Sequence, residues 1–196
     1  MRVIAGTLKG RRLKTPTWDG LRPTSDKLRE TLFNVLAPRI AGSRLLDGYA
    51  GTGAIGIEAI SRGVAHVTFI ERDHRATGLI RANLQVCAVL AGYTIEQADV
   101  GVALSKMPVE ARFDVIVLDP PYAAIEVSTN EDSTNEISRV LDAAGRRLGA
   151  DGVLVLERAT RVEPDVPASL TRIRDIRSGD STLTLLTRVE AQSDRN

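Results

Sequence analysis

From residue 25 onward, the apolar positions follow a helical period in some segments and form short strand-like runs in others. Residues 26–36 carry leucine and valine at helical spacing, with Ser25 as the predicted N-cap and Pro38 as the predicted end. Five of the six residues in 113–118 are hydrophobic, as in a strand that is buried on both faces. Strands that alternate with helices predict an α/β fold with a largely parallel sheet.

The pattern predicts seven strands. They span residues 44–47, 65–71, 93–97, 113–119, 152–157, 170–175 and 181–189. Further helices are predicted at residues 54–62, after the second strand to about residue 88, at 102–105 and at 136–148, and the polar residues 130–135 are predicted to form a loop. The last two strands are joined by a short turn at residues 178–180, which predicts a hairpin with an antiparallel member.

The first twenty residues differ from the rest of the chain. Short apolar segments flank Gly6 and Gly10, a pattern that predicts a small β-hairpin extension over residues 1–20. The hairpin is expected to be held away from the sheet, and the remaining chain to fold without residues 1–14. The main domain is predicted at residues 21–190, and residues 191–196 are expected to be frayed.

Composition narrows the class of protein. The chain has 196 residues, of which 43% are hydrophobic, as expected for one globular domain. We expect no signal peptide and no membrane span. One cysteine, Cys87, and two histidines offer no disulfide and no metal-ligand cluster, which favours a cytoplasmic protein without a metal.

A net charge of +1 hides a basic N-terminus. Residues 1–14 contain no acid and five basic residues, which are Arg2, Lys9, Arg11, Arg12 and Lys14. Such a patch on a nearly neutral protein predicts contact with a polyanion such as RNA. A solvated basic terminus explains the same residues equally well at this point.

A glycine turn follows the first predicted strand. The sequence LLDGYAGTGAIG places Gly51, Gly53 and Gly56 between a strand and a helix, the context of a nucleotide-binding turn. Glu71 ends the next strand, where a carboxylate can accept hydrogen bonds from two ribose hydroxyls. Taken alone, this pattern fits a nicotinamide dehydrogenase as well as any other enzyme.

Two further acids change that interpretation. Asp47 ends the first strand, where its charge would repel a pyrophosphate and favour a cationic ligand such as S-adenosylmethionine. Asp99 follows the third strand and can accept a hydrogen bond from the exocyclic amine of adenine. Each acid alone could be a helix N-cap. Three strand-ending acids beside a glycine turn without lysine or arginine favour the methyl donor.

The fourth strand ends in Asp-Pro-Pro-Tyr, residues 119–122. Asp119 and the Pro120 carbonyl can each accept one N–H of an exocyclic amine, which favours a pyramidal nitrogen with its lone pair free. Pro120 and Pro121 fix that carbonyl, and Tyr122 can stack on a base that has left its helix. A rigid turn is the alternative explanation of these residues.

These motifs resemble class I S-adenosylmethionine-dependent amino-methyltransferases. The segment RPTSDKLRETLFNVL, the N-terminal RVIAGTLKGRRL and the terminal SGDSTLTLL are similar to the bacterial 16S rRNA guanine-N2 methyltransferases that modify guanine-966. The resemblance implies a doubly wound, Rossmann-like sheet of seven strands with its last strand antiparallel. It also implies 16S rRNA, within the 30S subunit or a late precursor, as the substrate. A monomer is expected.

The resemblance also implies roles for individual residues. Thr24 and Arg29 are expected to close over the cofactor, and residues 119–122 to carry the chemistry. The other expected cofactor-binding residues are Asp47, Ala50, Gly51, Thr52, Gly53, Glu71, Arg72, Asp99 and Val100. Gly48 and Tyr49 stand where the family has an apolar residue and Phe.

Two other classes of function remain open. A DNA adenine-N6 or protein amino-methyltransferase shares the Asp-Pro-Pro-Tyr motif, although 196 residues leave little room for a DNA target-recognition domain. A non-catalytic nucleic-acid-binding protein would have no need for Asp119 and Tyr122 beside an acid-lined cleft.

Overall fold

The structure, a computed structural model, describes residues 1–21, 24–121 and 131–189. The helices in these ranges are α1 (Asp26–Ile40), α2 (Ala54–Ser61), α3 (His74–Val86), α4 (Val100–Lys106) and α5 (Glu131–Gly145). The strands are β1 (Arg44–Gly48), β2 (His66–Glu71), β3 (Tyr93–Gln97), β4 (Phe113–Leu118), β5 (Leu148–Ala159), β6 (Leu170–Ser178) and β7 (Ser181–Arg188).

The seven strands form one sheet in the order β3-β2-β1-β4-β5-β7-β6. Strands β1 to β5 run parallel to one another, and β7 lies between β5 and β6 and is antiparallel to both. The predicted fold class, with its antiparallel last strand, is confirmed. Because the chain runs outward from β1 to β3 and then returns to β4, the direction of winding changes between β1 and β4. Ligands bind at such switch points.

Both faces of the sheet are covered. Leu45 and Val115 point into a core shared with α1, α2 and α3, whereas their neighbours Leu46 and Ile116 point into a core shared with α4 and α5. This alternation explains why the central strands are apolar at nearly every position. Asp114, the one polar residue of β4, is exposed and accepts a hydrogen bond from the Arg44 amide at 2.8 Å.

Several element boundaries differ from the prediction. Ser25 caps α1 as predicted, but Pro38 lies inside the helix, which continues to Ile40. The missing N–H of Pro38 costs one hydrogen bond near the helix end, and the burial of Ile40 offsets that loss. Residues 131–135 belong to α5, and the prediction of a loop over them is wrong. Strand β5 is also longer than predicted.

The N-terminal hairpin forms but is not held away from the domain. Its strands meet at an antiparallel bridge between Arg2 and Arg12, and Val3 and Leu13 are buried in the main core. Gly6 packs so closely on α2 that a Cβ would lie 1.8 Å from the Ser61 carbonyl oxygen. The expectation of a detached hairpin is therefore wrong, because the apolar side chains of this segment belong to the core of the domain.

The buried carboxylate of Glu58 on α2 holds this hairpin. It accepts hydrogen bonds from the amides of Ile4 at 2.7 Å and Ala5 at 2.9 Å, and from the Arg62 side chain at 2.9 Å. The first fourteen residues thus satisfy a charge in the protein interior. Removing them would leave that charge without two of its donors, which costs stability, and the folding of the rest without residues 1–14 stays a prediction.

Candidate active site

A cavity of about 430 Å³ opens at the carboxyl ends of β1 and β4, at the switch point of the sheet. Its volume is typical of a site for a small molecule. The glycine turn and the ends of β2 and β3 form one side, and the residues after β4, with Glu157 near the end of β5, form the other. Trp18 and Leu21, from the segment that precedes α1, also line it.

Most of the predicted site residues meet in this cavity. Those in its wall are Thr24, Ala50, Gly51, Thr52, Glu71, Arg72, Asp99, Val100, Asp119, Pro120 and Pro121. Asp47, Gly53 and Arg29 do not belong to the wall. Tyr122 lies outside the described residues, so its predicted role stays a prediction.

The glycine turn has a strained backbone that few residue types tolerate. Tyr49, Gly51 and Gly53 all have positive φ, at 62°, 54° and 76°. Gly53 also packs against Ile80, where a Cβ would lie 3.2 Å from side-chain carbons. The amide of Gly56 points back to β1, and the amide of Gly51 to Glu71. Glycine therefore lets the chain reverse tightly between β1 and α2.

Glu71 braces the turn and faces the cavity. Its Oε2 accepts the Gly51 amide at 2.9 Å, and its Oε1 accepts the Asp73 amide at 2.8 Å. Each carboxylate oxygen keeps a second lone pair, which can accept a ligand hydroxyl. The N-cap of α3 is Asp73, so the alternative of a capping role does not apply to Glu71.

Asp99 has both of the functions considered for it. It is the N-cap of α4, where its Oδ1 accepts the Val102 amide at 3.2 Å. It also lines the cavity with Val100, opposite the end of β4. Capping leaves the second carboxylate oxygen of Asp99 available to a ligand.

Asp47 lies behind the glycine turn. Its side chain is buried, and Oδ2 accepts the Gly56 amide at 2.9 Å. Burial raises the pKa of Asp47 well above its usual value; the Gly56 hydrogen bond opposes this effect, and the nearby Asp119 and Glu71 carboxylates add to it. Asp47 therefore shapes the turn from inside, and its predicted contact with the cofactor stays a prediction.

The raised pKa of Asp47 predicts a pH-dependent stability. The folded protein binds a proton at Asp47 that the unfolded chain releases above its ordinary pKa, so this contribution is lost as pH rises toward the folded pKa. Asp47→Asn should therefore gain stability relative to wild type as pH rises from the ordinary aspartate pKa of about 3.9 to neutral pH. Urea unfolding across this range measures the difference. Asp114→Asn, an exposed control, should show no such gain, and a flat difference for Asp47→Asn would contradict the prediction.

Arg29 has a structural position. Its side chain is fully buried, and Nη2 donates to the Arg2 carbonyl and to Asp26 Oδ1, each at 2.7 Å. Nη1 lies 3.8 Å from Glu58 Oε2. The structure thus contradicts the expectation that Arg29 closes over the cofactor, because its guanidinium points to the N-terminal hairpin.

Asp119 is held at the far side of the cavity. Its Oδ2 accepts the Thr24 hydroxyl at 2.6 Å, and its amide donates to the Gly48 carbonyl at 3.3 Å. Burial raises the pKa of Asp119, while hydrogen bonds from Thr24 and the Glu157 carboxyl lower it. Pro120 and Pro121 follow in the wall. Thr24 therefore orients the carboxylate and joins the segment before α1 to the end of β4.

Glu157 and Trp18 are among the wall residues that the sequence analysis missed. Glu157, near the end of β5, is buried and lines the cavity close to Asp119. Its signal was the acid that ends the run GVLVLE, the same pattern that pointed to Asp47 and Glu71. Trp18 also lines the cavity, with the Arg75 guanidinium 5.1 Å from its ring centroid. No pattern in the sequence distinguishes Trp18.

The wall fits S-adenosylmethionine in size and chemistry. Glu71 and Asp99 offer acceptors for hydroxyl and amine groups, and the acidic wall suits a cationic ligand. In the described part of the chain, no group of three or more His, Cys, Asp or Glu residues could hold a metal ion. Among the described helices, none has the length and apolar character of a membrane span.

The predicted RNA-binding residues share one property. All five are exposed on or directly after the docked hairpin, and these are Arg2, Lys9, Arg11, Arg12 and Lys14. The hairpin lies beside the glycine turn, because the Lys14 amide donates to Asn83 Oδ1 and the Asn83 side chain donates to the Thr52 carbonyl. The basic surface is therefore fixed to the wall of the cavity.

Comparison with known proteins finds a matching family model, related sequences and similar solved structures. A family model described as "Conserved hypothetical protein 95" matches residues 1–187. The Bacillus subtilis protein "Putative rRNA methyltransferase YlbH" is 36% identical over 176 residues, which cover 89% of this chain and 91% of that protein. "Ribosomal RNA small subunit methyltransferase D" of Haemophilus influenzae is 42% identical over 124 residues, or 62% of this chain and 64% of that protein. The solved structure "Putative methyltransferase yhhF from Escherichia coli" superposes with a TM-score of 0.77 at 29% identity, covering 96% of this chain and 97% of that one.

Proposed function

The chain belongs to the conserved hypothetical protein 95 family, and from this membership we propose that it methylates the exocyclic N2 amine of a guanine in 16S rRNA, at guanine-966. S-adenosylmethionine is the methyl donor. The rRNA methyltransferases named among its relatives support rRNA as the class of substrate. The observation that carries the proposal is that Glu71 and Asp99 line the same cavity as Asp119 and Pro120.

The two sides of the cavity have different tasks. Gly51, Glu71, Asp99 and Val100 would hold the donor through backbone approach and carboxylate acceptors. Thr24 fixes Asp119 on the other side, where the base would enter. This division supports a donor and an amine that meet from opposite sides of the switch point, as transfer between them requires.

Asp119 and Pro120 activate the amine. The N2 lone pair of guanine is delocalised into the ring, so the amine is a poor nucleophile. Hydrogen bonds from its two N–H groups to the Asp119 carboxylate and the Pro120 carbonyl favour a pyramidal nitrogen with the lone pair free to attack. As the N–C bond forms, the C–S electron pair stays on sulfur, and the methylated nitrogen releases its proton to water. The hydrogen bonds strengthen as the nitrogen gains positive charge, which lowers the barrier.

The base must leave its stacked position to enter the cavity. Tyr122 is proposed to stack on its face, by analogy with the family motif. The substrate is proposed to be 16S rRNA within the small subunit or a late precursor, and the protein to act as a monomer.

One assay separates the three classes of function. The protein is incubated with tritiated S-adenosylmethionine and either small-subunit particles, naked 16S rRNA or DNA. We expect label in the ribosomal substrates and none in DNA. Label in DNA would support the adenine-N6 alternative, label in protein would support a protein amino-methyltransferase, and no transfer to any substrate would support a non-catalytic binding protein.

The basic hairpin predicts a salt-dependent interaction with RNA. Arg11 and Arg12 are exposed, so replacing them leaves the packing of the hairpin on the domain unchanged. Replacing both by Ala should weaken particle binding and reduce its salt dependence by roughly one unit of slope for each phosphate that is no longer neutralised. Binding titrations at several salt concentrations measure this slope. Arg174 and Arg177, exposed on the edge strand β6, provide a charge-matched control pair, and equal effects of the two double variants would contradict the prediction.

A further inference from the structure

A second carboxyl group stands beside Asp119 in the cavity. Strands β4 and β5 are parallel, with Leu118 opposite Leu156, so the next residues, Asp119 and Glu157, follow at the same edge of the sheet. Both line the cavity, and Glu157 is only 6% exposed. Hydrogen bonding to the N2 amine, as described above, uses Asp119 and Pro120 and gives no task to Glu157.

A hydroxyl group orients each of the two carboxyl groups, Asp119 and Glu157. The Ser181 hydroxyl, at the start of β7, donates to Glu157 Oε1 at 3.2 Å, and the Thr24 hydroxyl donates to Asp119 Oδ2 at 2.6 Å. The parallel pairing of β4 and β5 brings both carboxyl groups to the wall of the same cavity. Two hydrogen-bond acceptors therefore stand side by side where the base would enter.

Guanine offers two adjacent hydrogen-bond donors to this pair of acceptors. A base that remains attached to its ribose enters a pocket with the Watson–Crick edge first, which brings O6, N1 and N2 to the deepest residues. On guanine, the N2 amine is adjacent to an N1–H donor. On adenine and cytosine, the exocyclic amine is adjacent to an unprotonated ring nitrogen, which is an acceptor. Only guanine among these bases offers adjacent donors to adjacent carboxylates.

We propose that Glu157 accepts the N1–H of the target guanine while Asp119 holds its N2 amine, and that Glu157 thereby selects guanine. Ser181 is the positioning residue for Glu157. The inference rests on the proposed function and deepens it, since it names the residue that reads the base. It also gives a task to the SGDS turn, whose last residue is Ser181.

The test compares guanine with 2-aminopurine at the methylated position. 2-Aminopurine keeps the exocyclic amine at C2 but has an acceptor at N1. Small-subunit particles reconstituted with 16S rRNA carrying either base are methylated under kcat/KM conditions by wild type and by Glu157→Gln. The glutamine amide can accept from N1–H or, after rotation, donate to an unprotonated N1. The effect of losing O6 is the same for both enzymes and cancels in the ratio of ratios.

We expect wild type to prefer guanine and Glu157→Gln to reduce this preference by about 5- to 150-fold, the range that one buried hydrogen bond supplies. Ser181→Ala should reduce the same ratio without removing the carboxyl group, and it provides the readout if Glu157→Gln does not fold. Glu110→Gln makes the same substitution at an exposed residue outside the cavity wall and should leave the ratio unchanged.

The outcomes distinguish two failures. If wild type does not methylate guanine in the particles, the proposed function is wrong. If wild type methylates guanine and both Glu157→Gln and Ser181→Ala keep its preference over 2-aminopurine, the role of Glu157 in selecting guanine is wrong.

Discussion

Asp119→Ala should reduce turnover by at least about 100-fold, as removal of a preorganised transition-state hydrogen bond does in other enzymes. The variant loses the carboxylate that Thr24 orients and that is proposed to receive one N–H of the attacking amine. This interaction strengthens as the nitrogen becomes positively charged, so the loss falls on the chemical step. Binding of S-adenosylmethionine should change little, because the donor-binding residues lie across the cavity.

Single-turnover methylation and calorimetry of S-adenosylmethionine binding measure the two effects of Asp119→Ala separately. Asp119→Asn is the matched control, because its amide oxygen still accepts a hydrogen bond, and it should retain more activity than the alanine variant. Asp119→Ala with wild-type turnover would contradict the assigned role. A loss confined to S-adenosylmethionine binding would place Asp119 in the donor site.

Glu58→Ala should lower the free energy of unfolding by about 3–5 kcal/mol, the cost of removing one partner from a buried ion pair. Glu58 is fully buried, accepts two amides from the N-terminal hairpin and pairs with Arg62. It also lies near Arg29, whose Nε and Nη1 atoms are buried without a hydrogen-bond partner among the described residues. Without Glu58, Arg29 keeps Asp26 alone as a neighbouring carboxylate.

Urea unfolding measures this loss, and limited trypsin digestion reports the release of the hairpin at its exposed basic residues. Glu30→Ala, on the exposed face of α1, is the control and should change stability by less than about 0.5 kcal/mol. A Glu58→Ala variant that is as stable as wild type would show that the hairpin is held by its apolar contacts.

The sequence predicted the sheet and the side of the sheet that carries the site. Apolar runs such as 113–118 identify strands because their residues are buried alternately in two cores, and the acids that end such runs mark the ligand-binding edge. The turn at Gly51 and Gly53 was identifiable because its positive φ values require glycine at most positions. These features depend on local chemistry, which a single sequence displays.

The position of the N-terminal hairpin could not be predicted in the same way. Its docking depends on Glu58, an acid within the apolar helix α2, and the hairpin partners of Glu58 lie more than fifty residues away in the chain. Arg29 was misplaced for the same reason, since only the folded chain brings it to the Arg2 carbonyl and to Glu58. Glu157 acquires its significance from the pairing of β4 with β5.

Nucleoside analysis of 16S rRNA is the most direct test of the proposed activity. Small-subunit particles that lack the modification are incubated with the protein and methyl-labelled S-adenosylmethionine, and the rRNA is digested and separated by mass spectrometry. We expect the label in N2-methylguanosine, in an amount that approaches one methyl group per particle, from a fragment that contains guanine-966. Label in another nucleoside, or particles that remain unlabelled while the protein binds S-adenosylmethionine, would contradict guanine-N2 methylation.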